Sequence, residues 1–412
     1  MPLTDTVIIG AGHAGLAMSH CLAERGLDHV VLERGSVGER WRTARWDSFR
    51  LLTPNWLTRL PGWVYAGPEP DGFMTAGEFA DHLSGYAASF DAPIRPYTPV
   101  ARVERTPAGF RVYTHRGDWV ARTVVIATGY HSRAAVPGLA ARLAPGTAQL
   151  TPAHYRSPSS LPDGGVLVVG ASASGVQIAH ELALAGRRVV LAVGGHTRLP
   201  RRYRGQDILW WLDRAGALDR DIDDVPNPAA ARAEPSLQLA GTSDARGIDL
   251  GVLRMAGVEL AGRLRALDGV VAGFADDLDD SVGAAQHRLT RVLGEIDRYA
   301  AATPGTAAGP PDRPPPIAVP AAPSRVDLRR EGIATVVWAT GFRPSYPWLA
   351  LPALDHGGQI RHRRGLTAVP GLYAIGLRFQ SRRNSTFIDG ARHDAAYLAD
   401  RIATRRALRS AG

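Results

Sequence analysis

Lysine is absent from this 412-residue chain, and cysteine occurs once, as Cys21. A lone cysteine forms no intrachain disulfide and leaves no Cys-x-x-Cys redox pair, so a dithiol oxidoreductase is excluded and a reducing cytoplasm is the expected setting. No run of about eighteen apolar residues occurs, which excludes a membrane-spanning helix. Met1-Pro2-Leu3 leads straight into a strand-like Thr6-Val7-Ile8-Ile9, without a basic segment or cleavage pattern, so no secretory leader is expected. Without lysine, all 48 basic residues are arginine, set against 39 acids for a net charge of +9. They are spread along a chain rich in Ala, Gly and Pro and accompany no recognition motif. That reads as coding bias, and nucleic acid is not an expected partner.

What is present is an ordinary globular composition, 45% hydrophobic and 21% charged, at a length that suits about two domains. One supersecondary unit occurs twice. Thr6–Ile9 is followed by Gly10-Ala11-Gly12-His13-Ala14-Gly15, a helical stretch to Gly26, and the strand Val30-Val31-Leu32-Glu33. Val166–Val169 is followed by Gly170-Ala171-Ser172-Ala173-Ser174-Gly175, a helical stretch to Gly186, and Val189-Val190-Leu191-Ala192. Both read as β-turn-α-β with strands buried in a parallel sheet, each helix ending at a glycine. A second echo links Thr123-Val-Val-Ile-Ala-Thr128-Gly129-Tyr130 with Thr335-Val-Val-Trp-Ala-Thr340-Gly341-Phe342. The fold class expected is α/β, with two Rossmann-like domains. The first is discontinuous, residues 1–160 and 325–412, and the second, 161–324, is inserted in it. Residues 282–301 have helical periodicity, with Val292, Leu293, Ile296 and Tyr299 on one face. Residues 302–323 are too rich in proline for regular structure.

The first turn has the whole dinucleotide context. Gly10 makes the tight turn, Gly12 admits a pyrophosphate, Gly15 allows close helix–strand packing, and Glu33 offers an acid for ribose hydroxyls. The same pattern also serves as a plain strand–helix turn. In the second unit Ser172 replaces the middle glycine. The acid is missing too: Glu33 lies 23 residues after Gly10, and the equivalent distance from Gly170 reaches Val193. His196-Thr197-Arg198-Leu199-Pro200-Arg201-Arg202 follows. Loss of the acid and gain of Arg198, Arg201 and Arg202 favours NADPH, unless these form a solvated basic loop.

An acid-bearing fingerprint at the N-terminus and a basic one inside resembles the two-dinucleotide flavoproteins, with FAD on the first and NADPH on the second. The disulfide reductases among them need the cysteine pair that is missing here. The remaining resemblance, over nearly the whole chain, is to flavin-containing monooxygenases, including YUCCA-type enzymes and bacterial relatives. It rests on Gly10–Gly15, on Glu33 followed by Arg40-Trp41-Arg42, on Leu52-Thr53-Pro54-Asn55 through Leu60-Pro61, on Ala127–Tyr130 and on Ala339–Pro344. The family's Phe-x-Gly-x-x-x-His-x-x-x-Tyr/Trp pattern is degenerate, with Thr147 and Thr151 at the glycine and histidine positions counted back from Tyr155, and His154 out of register.

The resemblance implies an NADPH-consuming enzyme that forms a C4a-hydroperoxyflavin and passes one oxygen to a small nucleophile at nitrogen or sulfur. The alternatives are Baeyer–Villiger oxidation and an NADPH oxidase or reductase. Partners would be the substrate and O₂, with no membrane, and a homodimer is compatible. The expected FAD contacts are Gly10, Gly12, His13, Ala14, Gly15, Glu33, Arg34, Trp41, Arg42, Thr128, Gly129, Gly376, Asn384, Ser385 and Thr386. Thr340 and Gly341 are assigned to cofactor binding with them. The NADPH contacts are Gly170, Ser172, Ser174, Gly175, Arg198, Arg201 and Arg202. Asn55 is the catalytic candidate, its amide near the reactive flavin edge, although an asparagine beside Pro54 is also good turn chemistry. Trp41, Trp46, Trp56 and Trp63 either stack on the flavin, line a pocket or fill a core. The turn Asn384–Gly390 opens a helix whose dipole would face the flavin pyrimidine. No metal-ligand spacing occurs.

Overall fold

A computed structural model describes residues 3–303, 305 and 309–410. Along the chain, the elements that position the site are β1 (Leu3–Ile9), α1 (His13–Glu24), β2 (His29–Leu32), α2 (Ala76–Ser89), β3 (Ile94–Arg95), β4 (Trp119–Ile126), β5 (Ala148–Leu150), β6 (Gly165–Val169), α3 (Ala173–Leu184), β7 (Val189–Ala192), α4 (Ile208–Arg214), β8 (Glu259–Ala261), α5 (Leu278–Ala302), β9 (Ile333–Trp338), β10 (Leu372–Ala374) and α6 (Ala391–Ser410).

Two parallel sheets organise the molecule. The first has the order β10-β4-β1-β2-β3, extended by a hairpin (Val100–Thr106 with Gly109–Thr114) on β4 and by two short strands beyond β10. The second has the order β5-β9-β6-β7-β8. Alternation along β1 sends Val7 and Ile9 to one face of the first sheet and Ile8 to the other, where it joins a core with Leu16, Met18 and Leu22 of α1. All of these are fully buried or nearly so, as a parallel sheet covered on both faces requires. α1 and α3 both stop at a glycine with positive φ, Gly26 at +62° and Gly186 at +76°.

The sheets correct the domain boundaries expected from the sequence. β9 pairs with β6 and β5, all in the second sheet, so residues 333–338 do not return to the first domain. β5, at 148–150, has already left it. The crossover thus lies between β4 and β5, and the return lies after β9. The physical reason is that each Ala-Thr-Gly echo closes its own nucleotide turn. A Cβ on Gly10 would lie 2.7 Å from the Ala127 carbonyl oxygen, and one on Gly170 would lie 2.5 Å from that of Ala339. The echo records a duplicated unit and not a single domain.

The helix expected at 282–301 is α5, with Leu289, Leu293 and Ile296 buried and Val292 and Tyr299 packed alongside. Residues 309–323 carry no helix or strand, as expected, while Pro304 and 306–308 of the same stretch lie outside the described residues.

Candidate functional site

The first turn is built for backbone approach by an anion. Gly10 has φ +109°, and a Cβ on Gly15 would come within 1.9 Å of the Gly10 carbonyl oxygen, so only glycine allows α1 to start this close to β1. Gly12 is the N-cap of α1 and has no side-chain cap, and no atom lies within 4 Å of where its Cβ would stand. The first amides of α1 are thus open above an empty cradle. Two buried polar atoms beside it have no partner: His13 Nε2 and Thr128 Oγ1. Burial pushes the His13 imidazole down to about 4, so it is neutral at pH 7. Glu33, just past β2, is buried and accepts from the Ala11 amide (2.7 Å) and the Gly35 amide (3.0 Å). A carboxylate held in this way is fixed in place beside the turn, with lone pairs left over for further donors. The orphaned atoms, the open cradle and the fixed acid fit a dinucleotide.

The C-terminal segment reaches the same place. β10 pairs with β4, and a Cβ on Gly376 (φ +78°) would lie 3.1 Å from the Ala14 side chain in the first turn of α1. In the turn before α6, Asn384 is fully buried, its amide donating to Asp389 (3.0 Å) and Asp219 (3.3 Å) while its Oδ1 has no partner. Ser385 Oγ accepts from the Ser381 and Arg382 amides and so shapes the turn, and Thr386 is half-buried.

The second turn repeats the first. Gly170 has φ +110°, a Cβ on Gly175 would lie 1.8 Å from the Gly170 carbonyl oxygen, and Ser172 caps α3 with no side-chain bond. Ser174 is half-buried in the first turn of α3. Gln238 was missed by the sequence reading. It is buried, donates to the Ala171 carbonyl (2.7 Å) and leaves its Oε1 without a partner beside the turn. Its contact spans 67 residues, which no local pattern displays.

The model of the pyridine nucleotide-disulphide oxidoreductase family matches residues 7–209. The CzcO-like oxidoreductase of Geobacillus kaustophilus is 32% identical over 97% of this chain and 98% of its own length. The chain belongs to the CzcO-like oxidoreductases. The indole-3-pyruvate monooxygenase YUCCA6 of Arabidopsis thaliana is 32% identical over 49% of this chain and 51% of its own. A flavin-containing monooxygenase from Stenotrophomonas maltophilia shares the fold, with a TM-score of 0.67 at 20% identity over 98% of this chain and 99% of its own.

Several residues expected at the cofactors of this oxidoreductase stand elsewhere. Arg198 is 3% exposed and bonds Asp249 (2.7 Å), Gln286 (2.8 Å) and the Pro315 carbonyl (3.0 Å). Arg201 is 2% exposed and bonds Asp207 (2.5 Å) and the Leu52 carbonyl (2.8 Å). Both guanidiniums are buried against protein acceptors, with Arg201 Nε left without a partner, so neither stands open to a phosphate. Arg202 is exposed in a hairpin and donates to the Gly205 carbonyl. Beside Gly194, just after β7, stands Arg263 instead, 3.8 Å from where a Gly194 Cβ would lie. It follows β8, whose Ala261 pairs with Ala192 of β7.

Arg42 pairs with Asp81 of α2 at 2.7 Å on the surface, and Arg34 is exposed. Trp41 packs edge-on against Phe79 with Arg45 over its ring, while Trp46 and Trp63 pack against Phe49 and Tyr86. These rings fill a core. Asn55 is buried with its oxygen accepting from the Met74 amide and its nitrogen donating to the Glu69 carbonyl, both at 2.9 Å. It clamps a loop, in line with the turn-chemistry reading, with one of its two amide hydrogens committed to the Glu69 carbonyl. Thr340 Oγ1 donates to the Ala135 carbonyl, and Gly341 (φ +87°) follows β9 at the second turn rather than the first. Thr151 bonds His154 at 2.9 Å, and the buried Tyr155 donates to Glu181 of α3. The degenerate linker is therefore tied to the second unit. Among the described residues the one cluster with metal-ligand geometry, His20, Cys21 and Glu24, lies along α1, away from both turns.

Proposed function

We propose that this oxidoreductase is an FAD-dependent, NADPH-consuming monooxygenase that oxygenates a small nucleophile at nitrogen or sulfur. The observation that carries the reading is the pair of equivalent open turns, the first with a fixed ribose acid and orphaned polar atoms, the second with Val193 in the acid's place. The likeness to YUCCA6 over half the chain supports the oxygenase class. FAD bound at the first turn would supply hydride acceptance and the activation of oxygen. The chain supplies binding: the α1 amides and His13 meet the pyrophosphate, Glu33 the ribose, and the turn before α6 the pyrimidine edge. NADPH takes the second turn. There Arg263, half exposed and only loosely held by Asp277 at 3.4 Å, is the arginine that meets the 2′-phosphate.

The test is NADPH consumption and peroxide release measured across amines, sulfides and ketones, with rapid-mixing spectra of the reduced protein in oxygen. A long-lived hydroperoxyflavin band and substrate-dependent coupling are expected. Fast reoxidation with full peroxide release would make the protein an NADPH oxidase. Coupling with ketones alone would make it a Baeyer–Villiger enzyme.

A further inference from the structure

The two glycine-rich turns are closed by different groups. In the first, the Ala11 amide donates to Glu33, and the Ala11 carbonyl accepts from the Gly38 backbone amide at 3.2 Å. In the second, Val193 stands where the acid would be, and the equivalent carbonyl, that of Ala171, accepts from the Gln238 side chain at 2.7 Å. A backbone amide closes such a turn with nothing left over. A glutamine brings an acceptor with it, and Gln238 Oε1 has no partner although the residue is only 1% exposed. The Ala171 carbonyl can be met only by the NH₂ group, so the free atom is the oxygen. A buried carbonyl oxygen without a donor carries its full desolvation penalty, which a bound donor would recover.

The surroundings of Gln238 show where such a donor would lie. Residues 235–241 run beside the second turn. At one end, Pro235 lies 3.6 Å from where a Gly195 Cβ would stand, just beyond β7 and so at the adenosine end of the cradle. In the middle, Leu237 and Gln238 form a short strand beside Thr197 and Arg198. At the other end the segment docks on the first domain. Arg201 donates to the Ala240 carbonyl and to the Leu52 carbonyl, and a Cβ on Gly241 would lie 1.9 Å from the Leu51 carbonyl oxygen. Gln238 thus stands between the adenosine end and the loop that holds Asn55. A coenzyme seated on the second turn extends in that direction, because its nicotinamide has to meet a flavin held by the first domain.

We propose that Gln238 positions the nicotinamide half of NADPH, accepting through Oε1 from a ribose hydroxyl or the carboxamide of that half. The inference rests on NADPH occupying the second turn. Ala171 holds the side chain in place, and the coenzyme brings the donor that the folded chain leaves out. The adenosine half is recognised by other groups, the amides of the turn and Arg263.

Calorimetric titration of the FAD-loaded protein with NADP⁺ and with 2′,5′-ADP, which carries the adenosine half alone, tests this. The native protein should bind both. Gln238→Met, close to glutamine in length and volume, should bind NADP⁺ about tenfold more weakly and 2′,5′-ADP as before. Gln238→Asn, one methylene shorter, should show the same selective loss and serves as the test if the methionine variant does not fold. A glutamine that only props the turn would weaken both ligands alike, by loosening Ala171. Equal losses for the two ligands, or an NADP⁺ affinity unchanged in the variants, would overturn the assignment and leave the NADPH reading in place. A native protein that binds neither ligand would overturn both.

Discussion

Asp394, in the first turn of α6, shows how much a single side chain depends on what encloses it. It is 1% exposed, accepts from Ser381 Oγ and leaves Oδ2 without a partner. Burial raises its pKa to about 6. A carboxyl whose folded pKa lies above its unfolded value favours the fold while protonated, and that contribution is lost as pH rises from about 4 through 6. Asp394→Asn should therefore stabilise the protein at pH 7.5 by about 2–3 kcal/mol and much less at pH 4.5. Melting temperatures at the two pH values check this, and an equal gain at both would refute it. The arginines give a second contrast. Arg263→Ala should raise the KM for NADPH about tenfold, the loss of one charge-assisted bond of ~1.5–3 kcal/mol, and leave NADH nearly unaffected. Arg198→Ala should instead lower stability, because Asp249 loses its partner, while the coenzyme preference stays as it was. Steady-state kinetics with both coenzymes, alongside thermal melts, separate the two.

At the scale of elements, the strand–turn–helix units were legible because their determinants are local. Gly10, Gly12 and Gly15 lie within six residues and do different work, which yields opposite expectations for two small changes. Gly12→Val places its side chain in open space, so the protein should fold but not retain FAD. Gly15→Ala drives a methyl group to 1.9 Å from a backbone oxygen and should prevent proper docking of α1 whether or not FAD is supplied. Flavin absorbance and circular dichroism of the purified variants decide both. A Gly12→Val protein that stays yellow would move the pyrophosphate elsewhere. The partner of β9 was not legible, since a buried apolar strand carries no mark of which parallel sheet it joins.

Across the whole molecule, Arg59 fastens three regions: the loop after Asn55, the end of α4 through Asp213, and the turn before α6 through Asp389. Burial opposes its charge, but the bonds to Asp213 and Asp389 outweigh that and push its pKa up. Arg59→Met should destabilise the chain by about 1–3 kcal/mol, allowing for its partial exposure. Hydrogen exchange should rise in residues 208–214 and 384–390 and stay unchanged in β6. Uniform exchange across the chain would mean that the ion pairs do not couple these regions.

The sequence by itself determined the α/β class, both glycine-rich strand–turn–helix units, the acid Glu33 after the first and the absence of its counterpart at Val193. Each follows from residues close along the chain, where backbone geometry and spacing leave few alternatives. Only the tertiary structure decided which arginine stands beside the second turn, that Asn55 is a loop clamp, and that Trp56 and Trp210 line one cleft. Arg198 meets partners 51, 88 and 117 residues away, and Arg59 meets Asp389 at a separation of 330. A charge is available to a ligand only if the fold has not already paired it, and that pairing is made across the chain.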